Sequence, residues 1–255
     1  MVPASLRLAG GFLSVLPVRP VLEPSPRTVS RAMVVAPVAV VPLGALAGLV
    51  WWAGSSAGLP GLVGGLLVVC TLALGTRAMH LDGLADTVDG LGASWDRARA
   101  LEVMRRGDVG PMGAVALVVV LGLQAAALSA LPTGAYGAVG VLLLVCASRG
   151  VLALACRRGV PAARPDGLGR VVAGSVGPLG LVVAVLALLV LGSAAGVAVQ
   201  EPWWQGLLAA LLAAAVVLAL VSHAVRRLGG ISGDVLGAVV EAAFATLLVV
   251  LAAQP

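Results

Sequence analysis

The chain has 255 residues and a mass of 25.1 kDa; 60% of its residues are hydrophobic, 11% are charged, and its mean hydropathy is +1.11. Soluble domains carry about 25% charged residues, so a soluble single domain is excluded. A disordered chain is excluded as well, because such chains are poor in hydrophobics. What remains is an integral membrane protein with little mass outside the bilayer.

In chain order, Met1–Val18 is apolar but interrupted by Gly10, Gly11 and Pro17. It predicts a short interfacial helix rather than a signal peptide. The stretch Arg19–Arg31 carries Pro20, Pro24 and Pro26 and predicts a loop. Apolar runs near the length of a membrane span then recur at Met33–Ala53, Leu59–Met79, Pro111–Leu131, Ala135–Cys156, Val176–Val199, Trp203–Ser222 and Gly233–Ala253. None of them alternates as a transmembrane β-strand would, and a helix satisfies its own backbone in lipid. The expected fold class is therefore all-α, a polytopic membrane helical bundle of about seven transmembrane helices with a short N-terminal interfacial helix. Residues 1–255 form one integral membrane domain, and Arg77–Gly110 is its longest polar segment. The 34 glycines suit close helix packing in lipid.

All sixteen basic residues are arginine. Arg7, Arg19, Arg27 and Arg31 precede the first span, and Arg77, Arg97, Arg99, Arg105 and Arg106 follow the second. Arg157, Arg158, Arg164 and Arg170 follow the fourth, and Arg226 and Arg227 the sixth. With seven spans these segments fall on one side, which the positive-inside rule makes cytoplasmic, together with the N-terminus. The net charge of +5 is then a topology signal and an attraction to the lipid bilayer. No basic stretch interleaved with aromatics calls for nucleic acid. Cys70, Cys146 and Cys156 fall in predicted spans and read as small packing residues. Arg149 and Glu241 lie inside spans, where charge is expensive. They read either as a structural pair or as part of a substrate cavity.

Most of the acids share the arginine side. On a helix, Asp82, Asp86 and Asp89 are spaced i, i+4 and i+7, which stacks three carboxylates on one face. Their repulsion calls for a counter-charge, and Mg²⁺ held jointly by carboxylates and substrate phosphates supplies one. Arg97 with Arg99, and Arg105 with Arg106, offer donors for further phosphate oxygens. The residues alone thus predict a Mg²⁺-dependent transferase acting on a phosphate or diphosphate at the cytoplasmic face. No GxxxxGK[ST] loop is present.

The run His80-Leu81-Asp82-Gly83-Leu84-Ala85-Asp86-Thr87-Val88-Asp89-Gly90 resembles the signature of the cobalamin synthase family, the adenosylcobinamide-GDP ribazoletransferases. Further matches follow in order: Phe12–Val18, Leu101–Arg105, Ser148-Arg149, Gly167-Leu168-Gly169, and Gly229–Ala238 with Glu241 after it. Two differences stand out: Met104-Arg105-Arg106-Gly107-Asp108 displaces an acid and an arginine of the family pattern, and Ser232 stands for threonine. The resemblance implies adenosylcobinamide-GDP as donor and α-ribazole or its 5′-phosphate as acceptor. GMP is released and adenosylcobalamin or its 5′-phosphate is formed. It implies Asp82, Asp86, Asp89 and Asp234 as catalytic residues, with the first three also holding Mg²⁺. It implies His80, Arg97, Arg105, Arg149 and Glu241 as substrate-binding residues. Monomer and oligomer are both compatible with the sequence. A CDP-alcohol phosphotransferase fits less well, since Ser94 stands where that family has arginine and its following acids are absent. A transporter would use Arg149 and Glu241 as gates, but no internal repeat supports one.

Overall fold

The computed structural model describes residues 2–253. Helix α1 (Ala4–Leu13) buries Leu8, Ala9, Gly10 and Leu13. An extended stretch follows, fastened to the bundle where Val15 N–H donates to the Gly75 carbonyl at 2.8 Å. Helix α2 (Pro26–Val34) then starts inside the segment expected to be a loop. Pro26 sits in its first turn, where a missing N–H does no harm, and the Ser25 hydroxyl accepts from Thr28 N–H at 3.2 Å. The prolines that suggested a loop therefore include one that begins a helix.

The first expected span is broken for the same reason. Pro37 opens α3 (Ala36–Ala39) and Pro42 opens α4 (Val41–Ser56). The chain continues through α5 (Gly61–Gly75), α6 (Met79–Ala93), α7 (Arg97–Val103), α8 (Pro111–Ser129), α9 (Gly134–Ala155), α10 (Gly167–Val172), α11 (Pro178–Ala198), α12 (Trp203–Leu228) and α13 (Gly233–Ala252). Five helices, α8, α9, α11, α12 and α13, are long and apolar enough to cross a membrane. The protein is thus a multi-pass helical membrane protein; each of the seven expected apolar runs is helical, and five of them, or six if the bent pair α5–α6 counts as one span, have the length and hydropathy of a span. Two are shortened: α4 has 16 residues and α5 has 15. At 1.5 Å per residue each rises about 22–24 Å, less than the roughly 30 Å hydrocarbon core.

The polar segment Arg77–Gly110 is largely helical, as α6 and α7, rather than a loop. Helix α6 departs from α5 at 91°, so it runs across the arginine-rich end of the bundle instead of continuing the span. It packs on α13, α8 and α7. Its C-terminal carbonyls are closed by Arg227 of α12, which donates to Leu91 O at 3.2 Å and Ser94 O at 2.6 Å while stacking 4.0 Å from the Trp95 ring. A cation there also suits the helix dipole. The centre of the bundle is α9 and α13, whose apolar windows are 78% and 72% buried. The outer helices α8, α11 and α12 bury a minority of their windows, leaving the rest for lipid. The α9–α10 connection is pinned to the start of α13 by Ala163 N–H to Ile231 O and Ile231 N–H to Pro161 O, both 2.9 Å.

Candidate active site

The site is built where α6 crosses α13. Glycines on both helices let the backbones touch: a Cβ at Gly83 would lie 2.6 Å from the Asp234 carbonyl oxygen, and one at Gly237 would lie 2.9 Å from that of His80. The contact sets Asp82 of α6 and Asp234 of α13 on the wall of one cavity of about 260 Å³, which His80, Phe12, Met33 and Leu168 also line. A second cavity of about 240 Å³ is also lined by Asp234, together with Arg164, Asp166, Gly167, Gly169 and Ser232. Asp234 thus lines two hollows.

Each acid of the cluster has a different environment. The Ser232 hydroxyl, which caps α13 by accepting from Val235 N–H, donates to Asp234 Oδ2 at 3.1 Å. Arg164 Nη1 stands 3.8 Å from the same oxygen, and its Nη2 donates to Leu101 O at 3.2 Å. Asp86 is 8% exposed and makes no hydrogen bond or ion pair among the described residues. Burial, then the charges of Asp82, Asp234 and Asp89, pushes its carboxyl up to about 6, with Arg164 opposing. Asp89 turns toward α8. Its Oδ2 accepts from Gly110 N–H at 2.7 Å and its Oδ1 from Gly113 N–H at 2.8 Å, closing that helix's N-terminus. The stacked triad of the sequence therefore divides: Asp82 and Asp86 face the Asp234 region, and Asp89 holds α8.

The expected phosphate-binding arginines are engaged with the protein. Arg97 donates to Ala163 O at 3.0 Å, and Arg105 reaches Asp166 at 3.5 Å. Arg99 and Arg106 both bond Glu102 at 2.9 Å. Arg164, which sequence reasoning did not single out, is the arginine placed against a catalytic candidate.

Beneath the cavity lies a buried polar chain. Arg149, 1% exposed, donates to Ser148 Oγ at 2.8 Å and faces His80 Nδ1 at 3.5 Å. His80 Nδ1 is 3.9 Å from Glu241 Oε1, and Gln124 donates to Glu241 Oε2 at 2.7 Å. The direct Arg149–Glu241 pair is not formed among the described residues; His80 stands between them. Gln124 was missed, though a lone amide inside an apolar run is a readable signal.

Among the described residues no three His, Cys, Asp or Glu side chains are set to hold a metal by themselves. Mg²⁺ commonly takes only one or two protein carboxylates and completes its shell with water and substrate phosphate. Asp82 and Asp234 on one wall, with Asp86 crowded behind them, fit that shared arrangement.

Comparison with known proteins gives a family match described as cobalamin-5-phosphate synthase over residues 5–252. The chain is 48% identical to an adenosylcobinamide-GDP ribazoletransferase of a Nocardioides species, covering 97% of this chain and 98% of that protein. It is 35% identical to the one of Pseudomonas fluorescens, over 94% and 96%. It is 36% identical to the one of Citrobacter koseri, over 83% and 83%. No solved structure matches.

Proposed function

The chain belongs to the cobalamin-5-phosphate synthase family, and on that premise we propose how its residues carry out the family's transfer. The reaction is the nucleotide-loop assembly step of cobalamin biosynthesis: the adenosylcobinamide phosphate of adenosylcobinamide-GDP passes to α-ribazole or its 5′-phosphate, and GMP leaves. The observation that carries the site assignment is the glycine-mediated contact that sets Asp82 and Asp234 on one cavity.

In this reading the donor diphosphate lies along the cavity wall. A bound Mg²⁺ supplies charge neutralisation on the phosphoryl oxygens. Asp82 and Asp234 would hold it, and Asp86 would add negative potential beside them. The ribose 3′-oxygen of the acceptor bonds to the cobinamide-side phosphorus as the bond from that phosphorus to the GMP oxygen breaks. The hydroxyl proton passes to Asp82 or Asp234. Arg164 neutralises charge beside Asp234, and positioning with electrostatics provides most of the rate. The arginine-rich end, and with it the N-terminus and the cavity, faces the cytoplasm, as the one-sided arginines favour.

The test is GMP release from adenosylcobinamide-GDP by purified protein, dependent on acceptor and on Mg²⁺. Asp82→Asn and Asp234→Asn should each lower turnover by at least 100-fold while the protein still inserts and folds; wild-type rates in both would overturn the assignment.

A further inference from the structure

We propose that Arg7 and Arg77 form a phosphate-binding site next to the active cavity. A cavity of about 370 Å³ lies between α1 and the extended stretch after it, and these two arginines are its charged lining. No acid lines it. Its hydroxyl, Ser14, is engaged, donating to Gly10 O at 2.8 Å and accepting from Leu16 N–H at 3.4 Å. The other walls are apolar, with Leu8, Phe12 and Pro17 among them. Arg7 also lines an adjoining cavity of about 340 Å³ together with Arg19.

Neither Arg7 nor Arg77 makes a side-chain hydrogen bond or ion pair among the described residues, and Nε of Arg7 is buried without a partner. Arg97, Arg99, Arg105, Arg106, Arg164 and Arg227 bond the protein through their terminal nitrogens; Arg19, Arg27, Arg31 and Arg158 make no side-chain bond among the described residues either, and what sets Arg7 and Arg77 apart is that they line this cavity together. A buried donor is almost always satisfied; Arg7 Nε is one that is not, and with the exposed Arg77 guanidinium on the same cavity it points to an oxyanion that takes charge-assisted bonds. Arg77 is also held in an unusual place. With Ala78 it forms the elbow between α5 and α6 in the left-handed region, at φ 53° and 55°. Non-glycine residues avoid that region, and such strain gathers at working sites. The same elbow fixes the start of α6, which carries Asp82, and Val15 N–H ties it to the stretch over the cavity.

Phe12 lines both this cavity and the one holding Asp82 and Asp234. A ribose carries its 3′-hydroxyl and 5′-phosphate on one ring. A phosphate held by Arg7 and Arg77 leaves the hydroxyl able to reach past Phe12 toward the carboxylates. The ligand is a phosphate group, either the 5′-phosphate of the acceptor or an anionic lipid headgroup. The acceptor arm rests on the transferase reading above.

The experiment uses the full-length protein in nanodiscs of phosphatidylcholine, with and without phosphatidylglycerol. Wild type, Arg7→Gln/Arg77→Gln and Arg7→Lys/Arg77→Lys are compared. Two quantities are read: the melting temperature with and without inorganic phosphate, and kcat/KM with α-ribazole and with its 5′-phosphate. Inorganic phosphate should raise the melting temperature of the wild type and not of the glutamine variant, whose unliganded melting shows that it folds. If the source is the acceptor, the preference for the phosphorylated acceptor falls at least tenfold in the glutamine variant and partly returns with lysine. If it is lipid, phosphatidylglycerol replaces inorganic phosphate as the stabiliser of the wild type alone, with acceptor preference unmoved. Equal phosphate and lipid responses and equal acceptor preference in wild type and glutamine variant overturn the site. A wild type that binds phosphate but releases no GMP with either acceptor counts against the transferase reading and not against the site.

Discussion

Replacing Gly83 with alanine tests whether the α6–α13 contact sets the chemistry. The new Cβ would lie 2.6 Å from the Asp234 carbonyl oxygen, 2.9 Å from its Cα and 3.1 Å from its carbonyl carbon. All three atoms are backbone, so no rotamer change relieves them. To reach ordinary contact at 3.4 Å the helices must part by about 0.8 Å. Overpacking of this kind costs about 1–3 kcal/mol, offset by up to about 1 kcal/mol from the better helix propensity of alanine. The net loss of stability is therefore modest. The catalytic effect is larger, because misplacing reacting groups by about 1 Å lowers rate by about 100-fold. GMP release should fall 10- to 100-fold, read against thermal unfolding of the same preparation. Gly122→Ala in α8 is the control, since a Cβ there meets nothing within 4 Å; it should keep turnover and melt no lower. Wild-type turnover in Gly83→Ala would refute the positioning argument. A loss that only tracks the unfolded fraction would assign Gly83 to packing alone.

Asp89 closes the N-terminus of α8 through two backbone N–H groups, so Asp89→Ala should destabilise by about 1–3 kcal/mol in thermal unfolding, and Asp89→Asn by less, because one acceptor survives. Glu241→Leu strands the Gln124 amide and removes the acid nearest the buried Arg149; it should cost about 3–5 kcal/mol, whereas Glu241→Gln keeps an acceptor for Gln124 and should cost clearly less. Asp86 takes up its proton at about pH 6 rather than in the usual carboxylate range. Its ionised form therefore opposes the metal-free fold above about pH 6 and is neutralised below it, and a cation drawn to that carboxylate competes with the proton for it. The Mg²⁺ concentration giving half-maximal turnover should rise as pH falls through 6, and a flat profile between pH 7.5 and 5.5 would count against Asp86 sensing the metal. Chelation should abolish GMP release, and Mg²⁺ should restore it.

The polytopic helical class was legible because unbroken apolar runs of span length admit few other structures in lipid. The first span was not, because proline carries two meanings. At Pro26, Pro37 and Pro42 it starts a helix, and composition alone cannot tell a start from a break. The turn at Arg77 was also illegible, since left-handed backbone at two non-glycine residues leaves no local mark. The pairing of Asp82 with Asp234 was half legible. Each acid was singled out in its own motif, but the contact that joins them depends on Gly83 and Gly237, two glycines among 34.

The arginines show what a dense run of charge does in this fold. Arg97 and Arg105 lie in the most charged stretch, and the connection between α9 and α10 supplies their partners: the Ala163 carbonyl for one, Asp166 for the other. Asp96 caps α7 and Glu102 takes two arginines. In a chain this poor in charge, a clustered ion tends to find its counter-ion nearby and becomes part of the scaffold. Among the ions left without one, two combine that with burial: Asp86, set among other acids with no bond of its own among the described residues, and Arg7, with a buried Nε facing no acceptor. Leaving such groups unmatched costs folding free energy. A bound cation at the first and a bound phosphate at the second would recover it, which ties the stability of this end of the bundle to the occupancy of its sites.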